Sequence, residues 1–260
     1  MASAGFNTPI GLPFTELTEV DSTNIYAMDQ VKTNLAGHGA AFLAQHQWAG
    51  KGQMGKVWEA KSGQNILLSV VLDPERLILK GSEPDPFLVS MLVAIGTFNF
   101  FTRYAGDETR IKWPNDIYWR DRKAAGILIE NSFRGSNWQW SIAGMGVNVN
   151  QTEFDVAQVH PVSLKQITGQ PFLVSDLARE LCGCLEAALE IYVSQGTDAI
   201  TTLYNNALYK KGERVILAIA EQNITAIICG VLPNGFLEIE LENGTKEAHA
   251  LGSVQWILKD

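Results

Sequence analysis

Apolar positions change their spacing several times along the 260 residues, and each change marks a new element. "EVDSTNIYAMDQVKTNLAGHG" places Ile25, Tyr26, Met28 and Leu35 near helical spacing. Asp21 or Ser22 stands where a cap belongs, and Gly37 where the helix would stop. "AAFLAQHQ" (40–47) and "NILLSVVL" (65–72) are apolar runs of strand length and read as buried strands. "DPFLVSMLVAIGTFNFFTRYA" (85–105) is a long apolar helix. Its breaks at Ser90, Gly96, Thr97 and Asn99 suit a buried helix better than a bilayer span. "RIKWPNDIYW" (110–119) reads as two strands about a Pro-Asn-Asp turn, because Pro114 forces Trp113 to be extended. "RDRK" then turns the chain into "AAGILIE" (124–130), and "WQWSIAGMGVNVN" (138–150) is one more strand. "VSDLARELCGCLEAALEIYVSQG" (174–196) is amphipathic, with Leu177, Leu181, Leu185, Leu189 and Tyr192 on one stripe and Ser175 as its cap. Residues 1 to about 14 are expected to form a loose arm or an edge strand.

After Tyr209 the texture changes. Short alternating strands are separated by "LPNG" and "ENGT", and Asn-Gly between such strands signals hairpins. Several strands within about fifty residues suggest a small barrel. The pattern therefore predicts an α+β unit over 1–208, with a mostly antiparallel or mixed sheet flanked by helices, followed by a small β-barrel over 209–260.

Composition sharpens this picture in three ways. With 20 basic and 28 acidic residues the net charge is -8, which argues against binding to DNA or to an anionic membrane. Any positive site must be local. The three cysteines (Cys182, Cys184, Cys229) are odd in number and lack metal-like spacing, as expected of reduced thiols in a cytoplasmic protein. Cys182 and Cys184 should point to different faces of one helix as small core residues. "MASAGFNTPI" has neither the basic start nor the apolar block of a signal peptide. The four histidines are scattered, so the chemistry should rest on cations, backbone amides and Mg²⁺ rather than on a protein nucleophile.

Four groups could carry that chemistry, and each has a plain structural alternative. "QWAGKGQMGKVW" (47–58) holds three glycines and two lysines within seven residues. It is either a surface hairpin or a loop that folds over an anion; no Ser or Thr follows the lysine, so it is not a phosphate loop. "KWPNDIYW" (112–119) is either ordinary turn chemistry or a site in which Asn115 and Asp116 touch a ligand or metal. Lys123 is either a solvated flank or a cation aimed into a pocket, and Gly126 weakens the strand that follows it. In "AGMGVNVN", Gly144 and Gly146 share one face, and Asn148 is expected to continue on it. Two missing side chains leave a slot, filled either by a packed helix or by a slender ligand.

Taken in order, "DSTN", "QWAGKGQMGKVW", "KWPNDIYW", "DRKAAGILIE", "GMGVNVN" and the C-terminal strands resemble the biotin–protein ligases (biotin–[acetyl-CoA-carboxylase] ligases) from about Phe14 to Leu258. "KWPND" and the lysine before "AGIL" are the most specific pieces. The resemblance implies a catalytic domain of the class II synthetase and biotin–lipoyl ligase type with an SH3-like C-terminal barrel. It implies activation of biotin by ATP and Mg²⁺ to biotinoyl-AMP, then transfer to one lysine of a biotin carboxyl carrier protein. Position by position, Ser22, Thr23 and Gln47 would contact the ureido ring, and Gly126, Gly144 and Gly146 would line the biotin slot. The backbone at Gly50 and Lys51 would order over the carboxylate and the AMP phosphate. Lys123 would be the essential lysine beside the carboxylate and α-phosphorus. Lys51, Gln53, Lys56, Trp58, Lys112, Asn115 and Asn148 would serve the nucleotide, with Asp116 ordering the site or Mg²⁺.

Two departures from that family carry expectations. Many members have Arg where this chain has Gln53, which can only hydrogen-bond, so Lys51, Lys56 and the loop backbone should carry more of the adenylate retention. Only twenty residues precede Asp21, too few for a winged-helix domain, so no operator binding is expected. A homodimer paired through sheet edges is plausible. The rival readings are a lipoate or octanoate ligase, a non-catalytic biotin sensor, and a scaffold whose barrel binds peptides.

Overall fold

The computed structural model describes residues 8–77, 85–154 and 160–257. Of the expected N-terminal arm, residues 1–7 lie outside the described residues. The main sheet has seven strands in the order β1-β2-β3-β7-β6-β5-β4. They are β1 (Phe14–Val20), β2 (Ala41–Gln47), β3 (Ile66–Leu72), β4 (Thr109–Lys112), β5 (Asp116–Trp119), β6 (Arg122–Arg134) and β7 (Asn137–Val147). β1 and β2 run parallel and the other neighbours antiparallel, so the sheet is mixed, as the pattern implied. β1 begins where the arm was expected to end. It is the edge strand, half exposed, and its glutamates hide it from a period-2 reading.

β3 is buried along its whole length because both sheet faces are covered there. Ile66, Leu68, Val70 and Leu72 face the main core, which α2 (Pro86–Ala105) and α4 (Val174–Asn206) fill with Leu88, Met91, Ile95, Leu181 and Leu185. Gly96, a break in the apolar run of α2, allows the helices to approach: a Cβ there would stand 2.7 Å from Leu185 Cδ2. α1 (Thr23–Lys32) covers part of the other face through Ala27 and Val31 against Phe42, Val71 and Ile142. Cys184 lies on the Gly96 side of α4 and Cys182 against Gly11, so they do face different neighbours, and both are buried.

Two helix-end expectations are corrected. α4 starts from Leu173 as N-cap, so Ser175 lies inside the helix and caps nothing. α1 ends at Lys32 with Thr33 as its C-cap, so Gly37 lies beyond it, whereas the break expected at Gly196 is present: that residue is non-helical (φ +80°, ψ -175°) and two helical segments meet there. Ser22 is the N-cap of α1 but makes no side-chain cap bond; Asp21 Oδ1 instead accepts from the Ser22 N–H at 2.6 Å.

A short helix α3 (Leu164–Thr168) with a Ser163–Gln166 capping box lies between the two halves of the chain. The C-terminal residues form a separate antiparallel sheet, ordered β11-β10-β9-β8-β12. Its strands are β8 (Arg214–Ile219), β9 (Gln222–Val231), β10 (Leu237–Leu241), β11 (Lys246–His249) and β12 (Val254–Ile257). β11 and β12 stand at opposite ends of the order, so the pairing among the described residues is open rather than a closed barrel. The two sheets are tied at β4, where Ile111 exchanges backbone bonds with Ala207 and Tyr209 and Trp113 Nε1 donates to Gly235 O at 3.0 Å.

One buried group makes the fold sensitive to acid. His38 is 8% exposed and its Nδ1 accepts from the Asp73 N–H at 3.1 Å. Burial, with the Arg76 charge second, lowers its pKa from 6.5 to about 4. The neutral ring is therefore the folded form, and the unfolded chain takes up the proton first. Stability should be full above pH 6.5 and should fall by up to about 3 kcal/mol as the pH drops toward 4. Urea unfolding at pH 7 and pH 4.5 checks this: His38→Gln should flatten the difference, and an equal pH slope in parent and variant would contradict it.

Candidate active site

The cross-strand register lays one row of residues over the sheet. Leu67 of β3 stands opposite Gly146 of β7, Gly146 opposite Gly126 of β6, Gly126 opposite Asp116 of β5, and Asp116 opposite Lys112 of β4. Directly paired residues share a face, and strands lie about 4.8 Å apart, so the row runs roughly 14 Å from Gly146 to Lys112. All five residues line a cavity of about 960 Å³, at the upper end for a small-molecule site. Its floor is thus bare backbone at one end and charged at the other.

The bare end is bordered by oxygens. Gln47 Oε1 accepts from both the Thr23 N–H (2.7 Å) and the Thr23 hydroxyl (2.9 Å). The Ser69 hydroxyl lies 2.7 Å from Thr23 Oγ1 and 2.6 Å from Asn24 Oδ1. Asn24 is oriented by its own amide, whose Nδ2 donates to Glu130 Oε2 at 2.8 Å. Four oxygens in a line therefore make three close contacts, while Thr23 and Ser69 supply two hydroxyl protons. The group has more acceptors than donors, and its natural complement is an N–H. Gly144 makes room for this arrangement: a Cβ there would collide with the Asn24 side chain. Ser22 lines the cavity beside them.

The charged end is built on Lys123 and Asp116. Lys123 Nζ is 2.7 Å from Asp116 Oδ1, with the side chains 28% and 22% exposed. The Lys123 backbone is fixed on both sides, donating to His160 O and accepting from the Val162 N–H, each at 2.9 Å. Asn148 Nδ2 also reaches Lys123 O at 3.4 Å. Lys112 lies further out, its ammonium donating to Tyr118 Oη at 3.1 Å. Burial lowers its pKa to about 8, against the raising effect of Asp116 and with Lys123 and Lys56 adding to the depression.

The loop 47–58 closes over the cavity as a small hairpin. Lys51 bridges to Val57, the Gly52 N–H donates to Lys56 O at 2.7 Å, and the Trp58 N–H donates to Gly50 O at 3.0 Å. Gly50 is required here because a Cβ would run into the Trp58 carbonyl. Lys51 Nζ stands 3.8 Å from Glu130 Oε1, and Gln53 and Lys56 face the cavity. The Trp58 indole lies on Gly126 and Gly146, in the space the missing side chains leave, and its Nε1 is buried with no hydrogen-bond partner among the described residues.

Most of the residues singled out from sequence therefore border one cavity. Two are not among its lining residues: Gly50 acts through the loop backbone, and Asn148 is buried one residue past β7 with its amide reaching Lys123 O. Asn115 lines the cavity, but its amide Nδ2 donates to Ile127 O and pins the turn to β6. Among the described residues no group of three His, Cys, Asp or Glu side chains could hold a metal, and Asp116 is engaged by Lys123. Sequence reasoning missed Asn24, Ser69, Glu130 and Trp256. Asn24 closes the "DSTN" motif and could have been found there; the others had no local signal.

Several known proteins resemble this chain. The bifunctional ligase/repressor BirA of Bacillus spizizenii is 26% identical over 235 residues, covering 89% of this chain and 71% of the relative. The biotin--[acetyl-CoA-carboxylase] ligase of Paracoccus denitrificans is 29% identical, covering 85% of this chain and 91% of the relative. Among solved structures, the biotin protein ligase of Aquifex aeolicus in complex with biotin and ATP shares the fold, with a TM-score of 0.76 at 23% identity over 93% of this chain and 97% of that one. The biotin/lipoate A/B protein ligase family matches residues 16–148, the stretch that carries α1, the loop, Lys123 and all three slot glycines, and the chain belongs to that family.

Proposed function

We propose that this chain is an ATP-dependent biotin–protein ligase. The observation that carries the reading is the polarity of this cavity, with surplus acceptors at the glycine end and cations at the other. A ureido acid such as biotin presents N–H donors at one end and a carboxylate at the other, and matches both. A dithiolane or an alkyl chain offers no N–H, so a lipoate or octanoate substrate would leave the Gln47–Thr23–Ser69–Asn24 group unanswered. The names of the relatives, and the biotin and ATP held by a structural neighbour, support the same reading.

In the first step the biotin carboxylate oxygen attacks the α-phosphorus of ATP and pyrophosphate leaves. In the second, the ε-amine of a carrier lysine attacks the acyl carbon, AMP leaves, and the amine gives up its proton. Negative charge develops between carboxylate and α-phosphate in both steps, and Lys123 is the cation placed to stabilise it, held in position by Asp116. Thr23, Gln47 and Ser22 hold the ureido end; Gly126, Gly144 and Gly146 give the slender ring its slot. Lys51, Gln53, Lys56, Lys112 and Asn115 border the nucleotide side, while Asn148 supports Lys123 from behind. With a single paired carboxylate on the floor, the residues present do not form a protein site for Mg²⁺; the ion would come with the phosphates that bind it. Trp58 has to leave the glycine floor before a ligand lies there, and it then flanks the nucleotide.

The acceptor is read as a biotin carboxyl carrier domain. The net charge of -8 supports a reading without DNA binding, the three free thiols support a cytoplasmic one, and edge strand β1 offers a pairing edge for a homodimer. Strand count and Asn-Gly hairpins support an SH3-like reading of the C-terminal sheet, with the division placed at 208/209.

Acid activation by ATP, with biotin, lipoate and octanoate compared, tests the substrate. Biotin should be preferred, and Lys123→Ala should lose about 100-fold or more in rate. Preference for lipoate would overturn the substrate, and an undiminished variant would overturn the role of Lys123. The indole makes a second prediction: Trp58→Ala should bind biotin alone several-fold more tightly than the parent, and calorimetry showing equal or weaker binding would contradict it.

A further inference from the structure

Lys112 is held unlike the other cations of the site. Asp116, its partner in register, is taken by Lys123, and the Lys112 ammonium keeps only an uncharged acceptor, the Tyr118 hydroxyl at 3.1 Å, with aromatic rings around it. It stands 4.7 Å from the centre of the Tyr118 ring and 5.6 Å from that of Trp256. Tyr118 belongs to β5 of the main sheet, whereas Trp256 comes from β12, the edge strand of the C-terminal sheet. Tyr209 links them, its ring centre 5.3 Å from Tyr118 and 5.6 Å from Trp256. Its hydroxyl donates to Asp121 at 2.5 Å, and Lys210 pairs with Asp121 and Glu213 behind it, so the wall is braced.

A ring and a carboxylate restrain a cation differently. A carboxylate neutralises it, and an arriving anion must displace that partner. A ring face holds the ammonium in place and leaves its whole charge for the anion. Trp256 borders the same cavity as Lys112, Lys123 and Lys56, and its own Nε1 is buried with no partner among the described residues, so what the indole offers here is its face.

We propose that Trp256 is a positioning residue for the polyphosphate of the nucleotide: its ring holds the Lys112 ammonium at the end of the floor, and the C-terminal sheet thereby completes the part of the site that takes the phosphates lost as pyrophosphate. This rests on the ligase reading above. It makes the C-terminal sheet a contributor to nucleotide affinity through a residue far from the loop and from Lys123 in sequence.

The test compares Trp256→Leu with Trp256→Phe, which fill similar space and differ in the ring, on the parent and Lys112→Ala backgrounds. Trp256→Leu should raise KM for ATP by about tenfold, with kcat and KM for biotin changed less than about twofold. Trp256→Phe should restore most of the affinity, and Trp256→Leu should add nothing once Lys112 is removed. Calorimetric titration with inorganic pyrophosphate, with no acid present, should show the same order of affinities. Equal loss with Leu and Phe, a matching rise in KM for biotin, or full additivity with Lys112→Ala would overturn the proposal. If the parent activates no acid, the ligase reading fails and the pyrophosphate titration still decides the Trp256–Lys112 link. If the parent activates biotin but all variants bind pyrophosphate alike, this inference alone falls.

Discussion

The site depends on the register between β7, β6, β5 and β4. Because side chains alternate along a strand, a slip of one residue anywhere in that row would turn Gly146, Gly126, Asp116 or Lys112 to the opposite face. The register is fixed by burial from the other side: Met145, Val147, Ile127 and Ile117 all enter the core under α2 and α4. Packing on one face therefore sets chemistry on the other. Irregular pairing occurs beside the row, between Ile117 and Tyr118, close to the turn that delivers Lys123. Bulges of this kind re-aim side chains at the ends of strands.

Two further constraints divide the cavity. At the glycine end, oxygens outnumber hydroxyl protons, and they are held that way by an amide locked onto Glu130. At the other end, one lysine is paired with a carboxylate and a second is held by aromatic rings. The loop joins the two ends, with Lys51 reaching Glu130 on one side and the Trp58 ring crossing the bare floor. When it leaves the two glycines, the tryptophan gives up backbone contacts and the Lys123 ammonium 5.7 Å from its ring, while its N–H has no hydrogen bond to break among the described residues.

Much of this was legible in the chain, for reasons that can be stated. Gly144 and Gly146 are two apart, so a strand had to put them on one face, and Pro114 had to make a turn where the structure has one. What could not be read is long-range. Ser69 meets Asn24 because α1 packs over β3, and each looks ordinary in its own segment: a polar residue in a buried strand and the second residue of a helix. Trp256 sits in a short strand with no periodic signal, and only the docking of two sheets brings it to Lys112. The helix break expected at Gly196 is present as a positive-φ residue at which two helical segments meet.

The central claim is that absent side chains on the floor make the site. Gly146→Ala tests it most directly, because the added methyl would meet a loop tryptophan and not the core. Biotin binding should be measured by calorimetry beside the thermal unfolding midpoint of the same variant. The account predicts that binding is lost by about 100-fold or more while the midpoint stays close to the parent's. Biotin affinity within a few-fold of the parent would show that the ligand does not lie on this row.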